Sequence, residues 1–266
     1  MNGVIICGGC GKMASSVAKQ VYQDNSLKLI GIVELSGHAC VGKDWGTMMG
    51  IGEVGVIVGA DLETIIDHCD TVADFTNPEA TLNHLEICLQ HKRSMVIGTT
   101  GFSNTQITKI RDAAQNIPIL LSPNMSLGVN LLFELVRKVS EILDDEYDIE
   151  IIETHHRFKK DAPSGTAVKI AEIIAIEKNI DLKKMAVYGR YGNVGGRRKG
   201  EIGIHAIRAG NINGEHTVIF NSLGERIEIA HKAYSREAFA QGAIKAIHFI
   251  FGQQNGLYSM KEVLKL

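Results

Sequence analysis

Two histidines, one arginine and two lysines lie within six consecutive positions, 155–160, and such side chains could bind an anion and transfer protons. An apolar, β-type run precedes them, and Ser164-Gly165-Thr166 follows as small residues typical of a turn that opens a helix. Backbone N–H groups at a helix N-terminus bind carboxylates and phosphates. The combination favours a site for an anionic substrate over a basic loop that is merely solvated.

The adjacent pair His155-His156 also raises the question of a metal ion. Neighbouring side chains of an extended chain point to opposite faces, so these two are poorly placed to ligate one ion. Few carboxylates lie nearby. We therefore expect no metal and separate roles for the two imidazoles, whose unperturbed pKa of about 6.5 suits proton transfer.

The first residues of the chain predict a dinucleotide-binding unit. An apolar strand at 4–7 precedes the glycine turn Gly8-Gly9-Cys10-Gly11, and an amphipathic helix follows. A second strand at 27–33 ends at Glu34. In this order the turn and helix start would bind a pyrophosphate, and the acid would bind the adenosine ribose.

Alternating strands and helices continue to residue 124 and predict a Rossmann-type, doubly wound parallel sheet. A second, smaller α+β domain with a mixed or antiparallel sheet follows, because three predicted strands at 201–208, 215–221 and 225–231 have no helix between them. Asn213-Gly214 and Leu223-Gly224 are typical of hairpin turns.

We predict a dinucleotide-binding domain at 1–126, completed by a C-terminal helical segment at 235–266, and a second domain at 127–234. Within these, 54–58 is predicted as a short strand and 179–200 as a long loop.

Composition excludes several classes. Of 266 residues, 45% are hydrophobic and 22% charged, as in globular proteins, and the net charge of −2 argues against nucleic-acid binding. No apolar run is long enough for a membrane span, and the first residues lack the features of a signal peptide. We therefore expect a cytoplasmic protein with no membrane or nucleic-acid partner.

The five cysteines are Cys7, Cys10, Cys40, Cys69 and Cys88. Their odd number and absence beyond residue 88 argue against a disulfide framework. The spacing Cys7-x-x-Cys10 could indicate redox or zinc chemistry, but no second pair follows, so we favour structural positions.

A family resemblance extends over essentially the whole chain. Its longest motif is Glu153-x-His155-His156-x-x-Lys159-x-Asp161-Ala162-Pro163-Ser164-Gly165-Thr166-Ala167. Others are Asp74-Phe75-Thr76-x-Pro78, Gly98-Thr99-Thr100-Gly101, Ser122-Pro123-Asn124-Met125-Ser126 and Arg208-Ala209-Gly210-x-Ile212-x-Gly214-Glu215-His216. On these residues the chain resembles the 4-hydroxy-tetrahydrodipicolinate (dihydrodipicolinate) reductases of the bacterial diaminopimelate and lysine pathway.

The resemblance implies a two-domain homotetramer that reduces 4-hydroxy-tetrahydrodipicolinate, a cyclic dicarboxylate, with NAD(P)H. It implies that the domain at 127–234 binds the substrate and forms the tetramer. It implies proton transfer by His155 and Lys159, with His156, Gly165 and Thr166 binding substrate. The matching cofactor-binding positions are Gly8, Gly9, Cys10, Gly11, Lys12, Met13, Glu34, Gly98, Thr99, Thr100, Ser122, Pro123, Asn124 and Met125.

Leu35 stands where some members of the family have an arginine for the 2′-phosphate of NADPH. With Glu34 repelling a phosphate, this departure favours NADH, although Lys12 leaves use of both cofactors open. Two alternatives are a regulatory NAD(H) sensor and another two-domain nicotinamide oxidoreductase. The first would not need the His-His-x-x-Lys cluster, and an acylating dehydrogenase would need a cysteine beyond Cys88.

Overall fold

The computed structural model describes residues 1–266, and the chain forms two compact units. Unit 1 comprises Met1–Leu127 and Glu237–Leu266, and unit 2 comprises Gly128–Arg236. None of the helices combines the length and the apolar character that a membrane-spanning helix needs.

Unit 1 is built on a parallel sheet of seven strands. They are β1 (Asn2–Cys7), β2 (Leu27–Val33), β3 (Val58–Gly59), β4 (Thr71–Asp74), β5 (Ser94–Ile97), β6 (Pro118–Leu121) and β12 (Gly256–Tyr258). Their order is β12-β6-β5-β4-β1-β2-β3. The chain runs outward from β1 to β3 and then returns to β4 on the other side of β1. Ligands of such sheets bind where the strand order reverses, outside the carboxyl ends of the strands.

Helices cover both faces of this sheet because β1 is apolar at every buried position. The helices are α1 (Lys12–Gln23), α2 (Trp45–Met48), α3 (Pro78–Gln90), α4 (Asn104–Ala113), α8 (Glu237–Ile250) and α9 (Met260–Leu264), with a 3₁₀ turn at Ile66–His68. Val4 and Ile6 pack on the side of α1 and α8, whereas Ile5 and Cys7 pack on the side of α3 and α4. This two-sided burial is what a parallel sheet requires.

Unit 2 has a mixed sheet of five strands. They are β7 (Asp148–His155), β8 (Ala186–Tyr188), β9 (Ile202–Arg208), β10 (Glu215–Asn221) and β11 (Arg226–Lys232), in the order β11-β10-β7-β9-β8. The helices are α5 (Leu127–Ile142), α6 (Gly165–Glu177) and α7 (Leu182–Met185). Along β7 every second side chain is buried, and Ile149 and Ile151 pack in one core with α5 and α6. The opposite face, which carries Ile152 and Ile219, is only half-buried.

The predicted fold class is confirmed, a doubly wound parallel sheet with a second α+β unit. The prediction of a hairpin at Asn213-Gly214 is wrong, because β9 pairs parallel with β7 and β7 separates it from β10. The hairpin at Leu223-Gly224 does join β10 to β11.

Three local predictions need correction. Residues 179–200 are not one loop, since they contain α7 and β8, and Arg197 within them bonds Asp148 and Glu150. The strand predicted at 54–58 is reduced to β3, Val58–Gly59. The C-terminal segment contributes β12 as well as helices, and this edge strand is too short to show in the sequence pattern.

Candidate active site

The site in unit 2 is centred on Glu153, where the buried face of β7 changes from apolar to polar. Glu153 and His155 continue the inward alternation of Ile149 and Ile151, and the side chain of Glu153 is fully buried. A buried carboxylate must be hydrogen-bonded and paired, or its desolvation is uncompensated. Its partners therefore define the local structure.

Arg208, at the end of β9, binds Glu153 through two parallel hydrogen bonds. Nη1 donates to Oε2 at 2.8 Å and Nη2 to Oε1 at 2.7 Å. The same Nη2 donates to the carbonyl oxygen of Asp161 at 2.7 Å, so the arginine also fastens the loop after β7. Burial opposes ionisation of Glu153, but hydrogen bonds from Arg208 and His155 hold the pKa of its carboxyl below the usual range.

Glu153 also orients His155. Nδ1 of the imidazole lies 2.5 Å from Oε2 of the carboxylate, which assigns the Nδ1 proton to this bond and leaves Nε2 as the ring nitrogen available for chemistry. Gly214 approaches the ring closely, since a Cβ there would lie 3.0 Å from Nε2. Burial lowers the pKa of His155, and Glu153 opposes that shift. The ring is thus a fixed imidazole that gives up its proton readily.

The turn into α6 is attached to the same carboxylate. The backbone N–H of Ser164 donates to Oε1 of Glu153 at 3.0 Å, and Ser164 caps the helix by accepting the N–H of Ala167. The Ser164 hydroxyl lies 2.9 Å from Nε2 of His216. Burial, followed by the neighbouring His155, lowers the pKa of His216 to about 3, so this second imidazole is neutral.

The remaining candidates of unit 2 lie on this turn. His156 has a buried Nδ1 that makes no hydrogen bond within the chain, as a ligand-binding nitrogen would. Nζ of Lys159 lies 2.9 Å from Oδ2 of Asp161, and its backbone N–H donates to the carbonyl of His156. Gly165 is exposed at the start of α6, with open space where a side chain would stand, and Thr166 follows it. The structure thus gathers all five predicted residues at one end of the sheet.

In unit 1 the glycine turn follows β1 directly. Gly8 has a φ of +79°, and a Cβ on Gly9 would lie 2.4 Å from the side chain of Ile32, so both positions require glycine. Gly11 is the N-cap of α1 and provides no side-chain cap, which leaves the helix start, Lys12 and Met13, for an external anion. Such a turn fits a pyrophosphate.

Glu34 follows β2, which pairs with β1. Its Oε1 accepts the N–H of Cys10 at 3.0 Å, and its Oε2 accepts the N–H of Leu35 at 3.1 Å. The carboxylate therefore faces the glycine turn, as an acid that binds a ribose hydroxyl should. The residues present fit a dinucleotide.

Two further predicted segments follow β5 and β6. In Gly98-Thr99-Thr100, a Cβ on Gly98 would overlap the ring of Phe75. In Ser122-Pro123-Asn124-Met125, the Ser122 hydroxyl donates to the carbonyl of Asn124 at 2.7 Å, and α8 approaches so closely at Gly242 that a Cβ would overlap the carbonyl of Met125. Both segments lie at carboxyl ends of neighbouring strands.

Asp74, the last residue of β4, anchors the first of these segments. Oδ1 of this fully buried carboxylate accepts the hydroxyls of Thr76 at 2.6 Å, Thr81 at 3.0 Å and Thr99 at 3.1 Å, and Oδ2 lies 2.6 Å from Nδ1 of His84. Burial works against ionisation, yet the hydrogen bonds from His84 and Thr76 lower the pKa of the Asp74 carboxyl. The carboxylate ties Thr99 to α3.

The expectation of no disulfide is wrong at one pair. The structure joins Cys10 to Cys40, while Cys7, Cys69 and Cys88 are free and buried. The number of cysteines does not show which of them lie close together. The loop that brings Cys40 to the glycine turn has no regular sequence pattern, so its path could not be predicted either.

Glu153, Arg208, His216, Asp74 and His84 belong to these networks, and sequence reasoning gave none of them a function. A signal existed for the first four, since each lies in a motif of the family resemblance. Their functions depend on contacts across strands, which spacing does not show. His84 lies in an amphipathic helix where nothing in the sequence marks it.

Together, a parallel sheet with a glycine turn and an acid facing it, and a second unit in which the buried Glu153 binds His155 and Arg208, define the class of two-unit nicotinamide-dependent oxidoreductases. Family models confirm this class and narrow it. Residues 2–125 match the N-terminus of dihydrodipicolinate reductase, and residues 128–264 match its C-terminus.

Known proteins match over nearly the full length. The chain is 47% identical to 4-hydroxy-tetrahydrodipicolinate reductase of Syntrophus aciditrophicus (strain SB), covering 98% of this chain and 97% of the relative. It is 42% identical to the reductase of Geotalea uraniireducens (strain Rf4), covering 99% and 98%. Among solved structures, dipicolinate-bound dihydrodipicolinate reductase from Paenisporosarcina sp. TG-14 matches with a TM-score of 0.78, 26% identity and 97% coverage of both chains. The chain belongs to the 4-hydroxy-tetrahydrodipicolinate reductase family.

Proposed function

We propose that the chain reduces 4-hydroxy-tetrahydrodipicolinate to tetrahydrodipicolinate with NAD(P)H, in the diaminopimelate and lysine pathway. The observation that carries this proposal is the near-full-length match to reductases of that name, which covers both units. The relative from Paenisporosarcina binds dipicolinate, a cyclic dicarboxylate, which supports a substrate of the same chemistry here.

Unit 1 binds the dinucleotide in this proposal. The residues that would hold it are Gly8, Gly9, Cys10, Gly11, Lys12, Met13, Glu34, Gly98, Thr99, Thr100, Ser122, Pro123, Asn124 and Met125. A bound reduced nicotinamide would supply hydride to C4 of the substrate ring. The glycine turn and the uncapped start of α1 support this assignment, because they offer backbone N–H groups and space to a pyrophosphate.

Unit 2 binds the substrate and transfers the proton. The carboxylates of the substrate bind to His156 and to the helix start at Gly165 and Thr166. The supporting observation is the buried Nδ1 of His156, which makes no hydrogen bond within the chain. His155 and Lys159 transfer the proton. The supporting contact is the hydrogen bond that Nδ1 of His155 donates to Glu153, because it fixes the ring and leaves Nε2 for the proton transfer.

The test is substrate-dependent oxidation of NADH and NADPH, followed by absorbance, with freshly made substrate. Replacing His155 or Lys159 by Ala should lower kcat by about 10²–10⁴, the usual contribution of general acid–base catalysis, with dinucleotide affinity unchanged. Lys160→Ala is the matched control, since Lys160 is an exposed neighbour outside the proposed site. Near-normal turnover in both single variants would contradict the residue assignment.

The cofactor preference proposed is NADH. Glu34 places a carboxylate where a 2′-phosphate would be repelled, and Leu35 is 77% exposed and offers it no positive charge. Steady-state kinetics with both cofactors test this preference, and Leu35→Arg should raise kcat/KM for NADPH. Failure of that variant to gain NADPH use would refute the explanation.

We also propose a cytoplasmic homotetramer. The half-buried face of the five-stranded sheet, with Ile152, Ile219 and the 46% exposed Ile207, supports subunit association because such apolar surface favours burial. The three free buried thiols support a reducing compartment. Light scattering at working concentration tests the tetramer.

A further inference from the structure

A cluster of two bonded sulfurs and one imidazole lies beside the proposed ribose-binding acid, and neither the hydride transfer nor the proton transfer uses it. Cys10 occupies the glycine turn, and Cys40 lies in the loop after β2 and is bonded to it. Nδ1 of His38 lies 2.7 Å from Sγ of Cys40. Two sulfurs and an imidazole are thus gathered next to Glu34, whose Oε1 accepts the Cys10 N–H.

The other cysteines are unsuited to thiol chemistry. Burial raises the pKa of Cys7 and Cys88 far above the usual range, and burial raises that of Cys69 to about 12. Because the thiolate is the reactive form, these three remain inert. Cys10 differs from these three because it is only half-buried. Cys40 differs because the imidazole of His38 lies beside it and can accept its proton.

We propose that Cys10 and Cys40 form a reversible disulfide that weakens dinucleotide binding, so that thiol oxidation regulates the enzyme. The effect on binding rests on the proposed function, since it presumes a dinucleotide at this turn. Intracellular disulfides are usually transient and redox-sensing, which fits a cytoplasmic protein.

The chemistry is thiol–disulfide exchange with a small disulfide of the glutathione class as oxidant. The half-buried Cys10, as thiolate, attacks one sulfur of that disulfide, forming a mixed disulfide and releasing one thiolate. His38 takes the proton of Cys40, whose thiolate attacks Sγ of Cys10 and displaces the second small thiolate. One protein disulfide forms, two protein thiols are oxidised, and one small disulfide is reduced to two thiols.

The expected loss of affinity follows from what the bond connects. The glycine turn would bind the pyrophosphate, and the loop after β2 begins at the acid that would bind the ribose. In the oxidised state the bond fastens these two segments together, and the Cys10 N–H donates to the Glu34 carboxylate. The ribose must then displace a contact that the cross-link reinforces.

The experiment measures NADH binding by fluorescence titration of the full-length protein, reduced with dithiothreitol or oxidised with glutathione disulfide. Mass mapping of the Cys10–Cys40 peptide defines the oxidised state. Oxidation should raise Kd for NADH about tenfold, within the usual range of coupling between sites, and reduction should restore it. Cys40→Ser should lose the response to glutathione disulfide, and His38→Ala should slow disulfide formation.

The outcomes separate this inference from the function on which it rests. If the reduced protein fails to bind NADH, the proposed function fails. If it binds NADH and the mapped disulfide leaves Kd unchanged, or no Cys10–Cys40 peptide forms, the regulation is refuted. Stoichiometric zinc binding by the reduced protein that depends on His38 and blocks disulfide formation would also overturn it, by showing that the cluster is a metal site.

Discussion

Glu153 in unit 2 and Asp74 in unit 1 are both fully buried carboxylates that hold Nδ1 of a histidine, but their charges are balanced differently. Glu153 has a bidentate Arg208 in addition to His155. Asp74 forms no ion pair with Lys or Arg and relies on threonine hydroxyls and a backbone N–H besides its histidine. The charge of Glu153 is neutralised by an arginine, whereas that of Asp74 is stabilised by hydrogen bonds, most of them from hydroxyl groups.

This difference in charge balance suits the two carboxylate–histidine pairs to different functions. Because Arg208 already balances Glu153, the His155 ring can gain and lose a proton without leaving a buried charge unpaired. The network of Asp74 instead ties segments together, since its hydroxyl donors come from the loop after β4, from α3 and from the loop after β5. We infer that the first positions the proposed proton-transfer residue and that the second positions a loop of the proposed dinucleotide site.

The largest expected effect follows from removing the cation. Arg208→Leu should lower the free energy of unfolding by about 3–5 kcal/mol, because it leaves the buried Glu153 carboxylate without its ion partner. Urea unfolding followed by circular dichroism measures the loss. Arg208→Lys keeps the charge without the bidentate geometry and should fall between this variant and the native chain.

Lys169→Ala is the control for that measurement, because Lys169 pairs with Glu172 on the surface, both about half exposed. Exposed pairs of this kind contribute at most about 1 kcal/mol. A loss of that size in Arg208→Leu would show that the arginine is dispensable and that the two carboxylates are not balanced differently.

The next effect is on acid stability and concerns His216, which lies beside Glu153, His155, Lys159 and His231. Its pKa is about 3 when folded and about 6.5 when unfolded, so the unfolded chain binds the proton more readily. Stability is therefore complete above about pH 6.5 and falls toward pH 3, by up to about 1.4 kcal/mol per pH unit. We expect a loss of about 2 kcal/mol from pH 6.5 to pH 5.

Two neighbours act in the same direction, since burial also lowers the pKa values of His155 and His231. His216→Gln should remove a full proton's contribution from the slope of unfolding free energy against pH. The lowered pKa of Asp74 keeps that carboxylate ionised between pH 6.5 and pH 5. As the pH falls to 5, amide hydrogen exchange should therefore rise in β10, which carries His216, before it rises in β4, which carries Asp74. Equal slopes in both chains would exclude His216 as the titrating group.

The same comparison shows what the sequence could predict. Hydrophobic periodicity predicted the alternation of strands and helices in unit 1 and the presence of a second sheet, because burial determines that pattern. The motif around His155 predicted which residues gather, since they are close in the chain. Arg208 lies 55 positions from Glu153, and their pairing depends on the register of β7 with β9, which the sequence pattern assigned to a hairpin that does not exist.

The disulfide and β12 show the same limit. Cys10 and Cys40 are separated by 30 residues, and irregular backbone without a pattern of its own brings them together. β12 has three residues and pairs with β6 through its backbone, so it is too short to produce an alternation of apolar and polar side chains that would predict it. Contacts that depend on loop paths or on backbone pairing at a sheet edge leave no trace in spacing.

The smallest expected effect tests whether the stabilisation of the Asp74 carboxylate is distributed over several hydroxyl groups. Thr81→Val removes one donor to Oδ1 and the bond from Thr81 to the Thr99 hydroxyl while conserving shape. Because the hydroxyls of Thr76 and Thr99 still donate, the loss should be about 0.5–1.5 kcal/mol, far below that of Arg208→Leu. Thr108→Val on the exposed face of α4 is the control and should change the unfolding free energy little. If Thr81→Val instead matched the cost of Arg208→Leu, a single hydroxyl would be as important as the cation, and the contrast between a paired and a solvated carboxylate would fail.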